Sequence, residues 1–317
     1  MNTLNEKPST VYAGLDISKA TLQLHLQNIH HVLDNAPKGY AALLKKIRAV
    51  GAVQIICEAT GGYEKGLVAA LHAAAQPVSV LNPALVRHFA LAQGQRAKND
   101  PIDAEVLTAY GDALRPEPTP PTEPARDELR ALVQWRDQIK DQLARVRQTS
   151  EHGLPASIAR QQKKLVAHLE KQMSAVEKEC QKALRRTPHL QEQVRALEQL
   201  DAVGTITALS VLSHLPELGR LNRQEAAARA GLAPWVRQSG PWEGQRHIGG
   251  GRAPVRRALY MSAVVLARMK ESPLGKFYAR LREAGKPAKV ALTAVMRKLL
   301  LQMNRVLQAQ ALEKGAT

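Results

Sequence analysis

The sequence predicts an α/β domain followed by a long, mainly α-helical remainder, and three observations carry that division. Residues 11–115 alternate short β-branched runs with apolar stripes at helical spacing. The segment from Arg115 to Pro124, RPEPTPPTEP, interrupts every regular pattern. Beyond it, apolar residues recur at threes and fours over most of the chain.

VYAGLDIS from Val11, TLQLHLQN from Thr21 and HHVLDN from His30 read as three successive strands. GYAALLKKIRAV then has helical spacing, and VQIICEAT is a β-branched strand. GGYEKGLVAALHAAA is a helix opened by glycines, PVSVLNP a further strand and PALVRHFALAQ a further helix. Three early strands followed by alternating β and α give a mixed sheet with helices packed on it. This order matches a ribonuclease-H-like arrangement for residues 1–115.

Residues 116–196 are expected to form a helical hairpin or coiled coil. Leu129, Leu132, Trp135, Ile139, Leu143 and Val146 make one stripe. EHGLP, Glu151 to Pro155, interrupts it, and Ile158, Leu165, Leu169, Met173, Val176, Cys180 and Leu184 resume it. Residues 197–317 form the basic, mainly α-helical C-terminal domain. It opens with two short helical patterns around Gly204, similar to a helix-hairpin-helix turn that lacks its second glycine. RLNRQEAAARAGL is a helix ending at Gly231. APWVRQSGPWEGQRHIGGGRAP is a long glycine-rich loop, and helices follow from about Pro254 to Lys270 and after Pro287.

Composition narrows the function classes. The 317 residues include 45 Lys plus Arg against 28 Asp plus Glu, a net charge of +17. Residues 201–317 hold 19 basic and 7 acidic groups, so +12 of that surplus lies in the last third. A field this uneven favours a polyanion, with nucleic acid first; acidic proteins and anionic lipid are the alternatives. Aromatics are only 3%, which argues against a base-stacking platform. Two cysteines, Cys57 and Cys180, with no CxxC pair, support neither a disulfide framework nor a thiolate zinc site. The N-terminal residues lack a secretory pattern and no apolar run spans a bilayer, so the expectation is a soluble, cytoplasmic, nucleoid-associated protein with no membrane partner.

The chemistry rests on carboxylates. Asp16 ends the first strand, and Glu58 closes an otherwise apolar strand, where an acid is seldom buried unless paired or metal-bound. If those strands are neighbours, the two acids pair. Asp100 and Asp103 in KNDPIDAEVL stand three apart at a helix start, on one face near the positive end of its dipole. Four carboxylates meeting at a sheet edge need a counter-ion, and a hard divalent cation such as Mg²⁺ or Mn²⁺ supplies it. Two such ions would assist phosphoryl transfer. Taken singly, Asp16 reads as a turn residue, and capping explains Asp100 and Asp103 equally well.

GLDISK, CEATGGYE, NPALVRHFA, KNDPIDAEVL and the later GLAPWVRQSG together resemble the insertion-sequence-110, or DEDD, transposases, whose relatives include site-specific DNA invertases. The likeness covers nearly the whole chain; Asn99 and Pro101 flank the third acid at positions expected to vary. It implies a Holliday-junction-resolvase (RuvC-like) N-terminal domain with Asp16, Glu58, Asp100 and Asp103 as catalytic metal ligands. It also implies a serine nucleophile in the C-terminal domain at Ser239, forming a transient phosphoserine link to DNA. The implied partners are DNA, as element ends and target, an element-encoded guide RNA, and further copies of the chain in a dimer or tetramer.

Read from the residues alone, Ser239 is a serine before glycine in a loop, the usual composition of a turn. Its surroundings are basic. Arg237, Arg246, Arg252, Arg256 and Arg257 crowd the same loop and helix start, where they can hold phosphates and stabilise an oxyanion. His247 is a candidate general acid or a solvated histidine, and Gly249 to Gly251 a phosphate cradle or a plain loop. Cys57 reads as a small core residue. The expected activity is DNA strand cleavage and rejoining. Its alternatives are a site-specific invertase, a hydrolytic junction resolvase in which Ser239 is only structural, and a non-catalytic nucleic-acid-binding protein.

Overall fold

The computed structural model describes residues 10–95, 99–149, 153–235, 238–239, 242–244 and 246–315. The chain divides into two compact units, Met1–Pro121 and Thr122–Thr317.

In the first unit β1 (Val11–Ile17), β2 (Thr21–Leu26), β3 (Ile29–Asp34), β4 (Val53–Glu58) and β5 (Val78–Leu81) form one sheet in the order β3-β2-β1-β4-β5. β1 to β3 are antiparallel, while β4 and β5 run parallel to β1. The mixed sheet inferred from strand order is therefore present, and it is compatible with a ribonuclease-H-like α/β domain. Gln27 and Asn28, with φ of 50° and 60°, make the two-residue turn between β2 and β3, the geometry that suits the twist of a tight hairpin.

Strand alternation sorts the sheet's two faces. Ala13, Leu15 and Ile17 of β1 and Ile55 and Cys57 of β4 pack with Leu43 and Ile47 of α1 (Pro37–Val50) and Leu67 and Leu71 of α2 (Lys65–Ala73). On the other face Ile56 packs with Val86 and Ala90 of α3 (Pro83–Ala92) and Val106 and Leu107 of α4 (Asp100–Leu114). Burial on both faces explains why the parallel strands read as nearly continuous apolar runs. Cys57 is buried, and that burial pushes its thiol up to about 12, the behaviour of a core residue.

The proline-rich stretch does more than connect. Thr119 donates its N–H to Val78 O at 2.8 Å, its hydroxyl accepts from Val80 N–H at 2.9 Å, and Ser79 Oγ donates to Glu117 O at 2.8 Å. Residues 116–119 thus lie along β5 and cover an edge strand whose backbone would otherwise be open to further pairing.

In the second unit α5 (Pro124–Thr149) and α6 (Ala156–Arg185) are antiparallel. Arg136 pairs with Glu177, Arg147 with Glu170 and Arg186 with Glu128, partners whose numbers run in opposite directions. Of the expected interruption, Glu151 to Pro155, residues 151 and 152 lie outside the described residues. Leu129, Val133, Ile139, Leu143, Leu169, Val176, Cys180 and Leu184 are buried in the core. The stripe differs from the sequence reading at Trp135, Ile158 and Leu165, which are about half exposed; Val133 occupies the inward position near Trp135.

α7 (Pro188–Glu198) and α8 (Thr205–His214) flank the turn at Gly204. Ala202, with φ of 58°, takes its left-handed position, and Glu198 accepts the Thr205 hydroxyl at 2.5 Å. An acid at that helix start leaves little room for a phosphate backbone. α9 (Arg223–Arg229), α10 (Ala253–Arg268), α11 (Pro273–Glu283) and α12 (Ala288–Gly315) complete the unit. α11 was not legible in the sequence. Ser272 caps it, accepting from Gly275 N–H at 3.0 Å.

Candidate active site

The register of β1 and β4 aligns Gly14 with Ile56. Two residues further along each strand, Asp16 and Glu58 fall at matching positions on the face covered by α3 and α4. α4 lies very close to this face. A Cβ on Gly14 would stand 1.9 Å from Ala104 O, and one on Gly111 would stand 2.7 Å from the Tyr12 side chain. The helix therefore runs antiparallel to β1, with Gly111 over Tyr12, Ala104 and Thr108 over Gly14, and its first turn toward Asp16. Thr108 Oγ1 fixes this placement by accepting Gly14 N–H at 2.8 Å and lying 2.9 Å from His25 Nδ1.

The first turn of α4 carries Asp100 and Asp103. Asn99, not either aspartate, is the N-cap; its side chain accepts from Ile102 N–H at 2.9 Å. The helix start is thus capped without them, so capping does not account for either acid. They remain near the positive end of the helix dipole.

The four acids share one electrostatic field. Asp16 is pushed up to about 6 from 3.8, first by burial and then by the charges of Asp103, Asp100 and Glu58. Glu58 and Asp103 also line a cleft of about 380 Å³ between α3 and α4, with Arg87 and an apolar floor that includes Val86 and Leu107. All four donors are hard oxygen ligands of the kind divalent cations prefer, and they share one face and one field. Among the described residues, no three side chains of His, Cys, Asp or Glu stand close enough together to hold a metal ion. The four acids suit a divalent cation in charge and donor type, but in this arrangement they would have to draw together to bind one.

Glu64 was not singled out in the sequence, yet it organises the loop after Glu58. Its carboxylate accepts from Thr60 Oγ1 at 2.6 Å, Gly62 N–H at 2.8 Å and Thr60 N–H at 3.2 Å. Burial alone would raise this carboxyl, but these hydrogen bonds hold it below its ordinary value. The motif CEATGGYE therefore joins a candidate ligand, Glu58, to the side chain that shapes the loop behind it.

In the second unit Ser239 ends β7 (Gln238–Ser239), which pairs antiparallel with β8 (Trp242–Glu243), Ser239 opposite Trp242. β6 (Pro234–Trp235) pairs with β9 (His247–Ile248) below it. The segment read as a plain glycine-rich loop contains two nested ladders, because its glycines and prolines punctuate short pairing runs. His247 is exposed, opposite Trp235.

The base of this ribbon is tightly drawn. Gly251, φ 55°, approaches Gly231 so closely that a Cβ on it would stand 2.3 Å from Gly231 N. Arg256 donates to the carbonyls of Gly250 and Ala230. Arg252 grips Glu217 in bidentate fashion, at 2.6 and 2.7 Å, and Arg229 donates to the same carboxylate at 2.7 Å. Burial would raise Glu217, but the bonds from Arg252 outweigh it and hold it low. Of these three glycines Gly251 is the close-packed one and Gly250 offers its carbonyl to Arg256, whereas a Cβ on Gly249 would meet nothing within 4 Å. Arg246 and Arg257 are exposed, and Arg237 lies outside the described residues.

Comparison with known proteins gives this arrangement its class. A family described as transposase, of the DEDD type, matches residues 13–156, and the transposase IS116/IS110/IS902 family matches residues 194–279. The chain belongs to the IS110 family of transposases, enzymes of DNA recombination. It is similar to the pilin gene-inverting proteins of Moraxella bovis and Moraxella lacunata, each 28% identical over 303 residues covering 92% of this chain and 94% of the relative. Among the described residues no helix is long and apolar enough to cross a membrane.

Proposed function

We propose that the chain cleaves and rejoins DNA strands, using Asp16, Glu58, Asp100 and Asp103 to hold Mg²⁺ (or Mn²⁺) and Ser239 as nucleophile. The observation that supports this most is the field at Asp16, raised by burial and by the other three acids together. A bound divalent cation would neutralise that cluster and polarise the phosphate under attack. The carboxylates would hold and orient the ion, and the serine hydroxyl would give up its proton to solvent. As Ser239 Oγ forms its bond to phosphorus, one P–O bond of the DNA breaks and the released DNA hydroxyl receives a proton. Rejoining reverses those steps, because the phosphoserine link retains the diester. Arg246 and Arg257 would bind phosphates flanking the cut, together with Arg237. Arg252 and Arg256 would do so while bracing the ribbon.

In this reading residues 1–115 are the ribonuclease-H-like metal domain, 116–196 a helical hairpin, and 197–317 the DNA-engaging domain that carries Ser239. The enzyme would act as a dimer or tetramer, its sites specified by pairing with an element-encoded RNA, in the nucleoid. Site-specific inversion is a second reading, favoured by the likeness over 92% of the chain to proteins named for inverting a pilin gene.

The test incubates the protein, its co-purifying RNA and DNA bearing candidate element ends with Mg²⁺, then looks for a denaturant-resistant protein–DNA adduct. Wild type should form it, and Ser239→Ala and Asp16→Asn should not. Metal-dependent cutting without an adduct, equal in wild type and Ser239→Ala, would leave a hydrolytic nuclease instead. A substrate with two inverted sites on one molecule separates inversion from transposition.

A further inference from the structure

A second basic site lies away from the serine ribbon. A cleft of about 230 Å³ opens among α9, the start of α11 and α12, floored by Leu274 and Leu301 and rimmed by Arg223, Lys298, Gln302 and Arg305. Lys298, Gln302 and Arg305 follow at spacings of four and three, so one face of α12 presents them together. Arg223 opens α9 across from them. Lys298 Nζ stands 4.1 Å from the centre of the Phe277 ring, which fixes the ammonium without neutralising it.

Among the described residues no carboxylate lines the cleft, and none of its three cations is in an ion pair. Glu225, on the first turn of α9, is engaged in its own capping box, accepting Asn222 N–H at 2.9 Å. The contrast with Glu217, which holds both Arg229 and Arg252, is direct. Three cations around a shallow apolar floor repel one another, and a bound anion relieves that repulsion. The N-terminus of α11, with Pro273 at its first position, adds its partial positive charge to the same cleft. Among the described residues no aromatic side chain lines it.

We infer that Arg223, Lys298, Gln302 and Arg305 form a phosphate-binding pocket for a nucleic-acid backbone, gripping it without reading sequence. The inference rests on the reading of the chain as a nucleic-acid enzyme, but it requires neither Ser239 nor the acids. It would add a backbone anchor to the contacts made by the ribbon's arginines.

The test measures binding, in EDTA, of a duplex DNA of arbitrary sequence and of a matched single-stranded RNA, over a range of salt. The double substitution Arg223→Gln with Arg305→Gln should lower the slope of log affinity against log salt by about 1.8 on DNA or about 1.4 on RNA. The loss should be the same for unrelated sequences. Arg223→Lys with Arg305→Lys should keep the wild-type slope, which separates lost charge from lost fold. A lowered slope on DNA alone assigns the pocket to DNA, and on RNA alone to RNA. Unchanged slopes on both in the Gln variant overturn the inference. Because no cleavage is read, failure of the adduct assay would not mimic that result.

Discussion

Gly14 donates its backbone N–H to Thr108 Oγ1 at 2.8 Å, across a contact that leaves no space for a side chain on the strand. That contact brings the first turn of α4 beside the end of β1. Gly14→Ala should therefore push the helix away, because its methyl would stand 1.9 Å from Ala104 O. The expected cost is about 3 kcal/mol, read from urea denaturation, with loss of metal-dependent cleavage even where the protein still folds. Wild-type stability in this variant would show that the contact yields easily.

The carboxyl of Asp16 sits at about 6 in the fold against 3.8 as its ordinary value, so folding takes up a proton between those values. The metal-free protein should lose this contribution as pH rises from about 4 through 6. Asp16→Asn should be the more stable protein near neutral pH, by up to about 2 kcal/mol after allowing for solvent screening at a partly exposed group. The difference between the two proteins in urea midpoint, followed against pH, reads the effect directly. A difference that does not change with pH would remove Asp16 as its source.

Mg²⁺ should raise the melting temperature of wild type, and the rise should vanish in Asp16→Asn. At a concentration 100 times its dissociation constant the ion contributes about 2.7 kcal/mol. Proton competition at Asp16 should weaken the effect below about pH 6. Calorimetry with and without the ion tests this independently of catalysis; equal rises in both proteins would place the ion elsewhere.

Arg252 and Arg257 should separate bracing from phosphate binding. Arg252→Ala breaks a bidentate pair with Glu217 and should destabilise the second unit by about 1–2 kcal/mol. Arg257→Ala, at an exposed position, should leave the melting temperature nearly unchanged but lower the salt slope of DNA binding by about 0.9. An unaltered melting temperature in Arg252→Ala would show that Arg229 holds Glu217 alone.

Much of the first unit was legible because its strands are buried on both faces and its helices carry clear stripes. Asp16 and Glu58 stood out as acids ending apolar strands, and the register places them at matching positions. The role of Asn99 was harder to read, since any of three neighbouring polar residues can cap a helix and only geometry decides. The nested ladders around Ser239 escaped detection because two-residue strands carry no periodic pattern. Trp135 and α11 show the other limit. Spacing identifies a helix face but not which flank turns inward, and α11 buries only Leu274 and Gly275, too few residues to make a stripe.

The sheet order β3-β2-β1-β4-β5 carries one more consequence. From β1 the chain first winds outward on one side, to β2 and β3, and then crosses to β4 and outward on the other. Between β1 and β4 the direction of winding reverses, and in open α/β sheets connections that diverge at such a point leave an opening at the carboxyl ends of the strands. Asp16 and Glu58 lie at those ends of β1 and β4. The opening is thus a property of how the chain is threaded, independent of which side chains occupy it. Changing the acids would alter the chemistry performed there while leaving the opening in place.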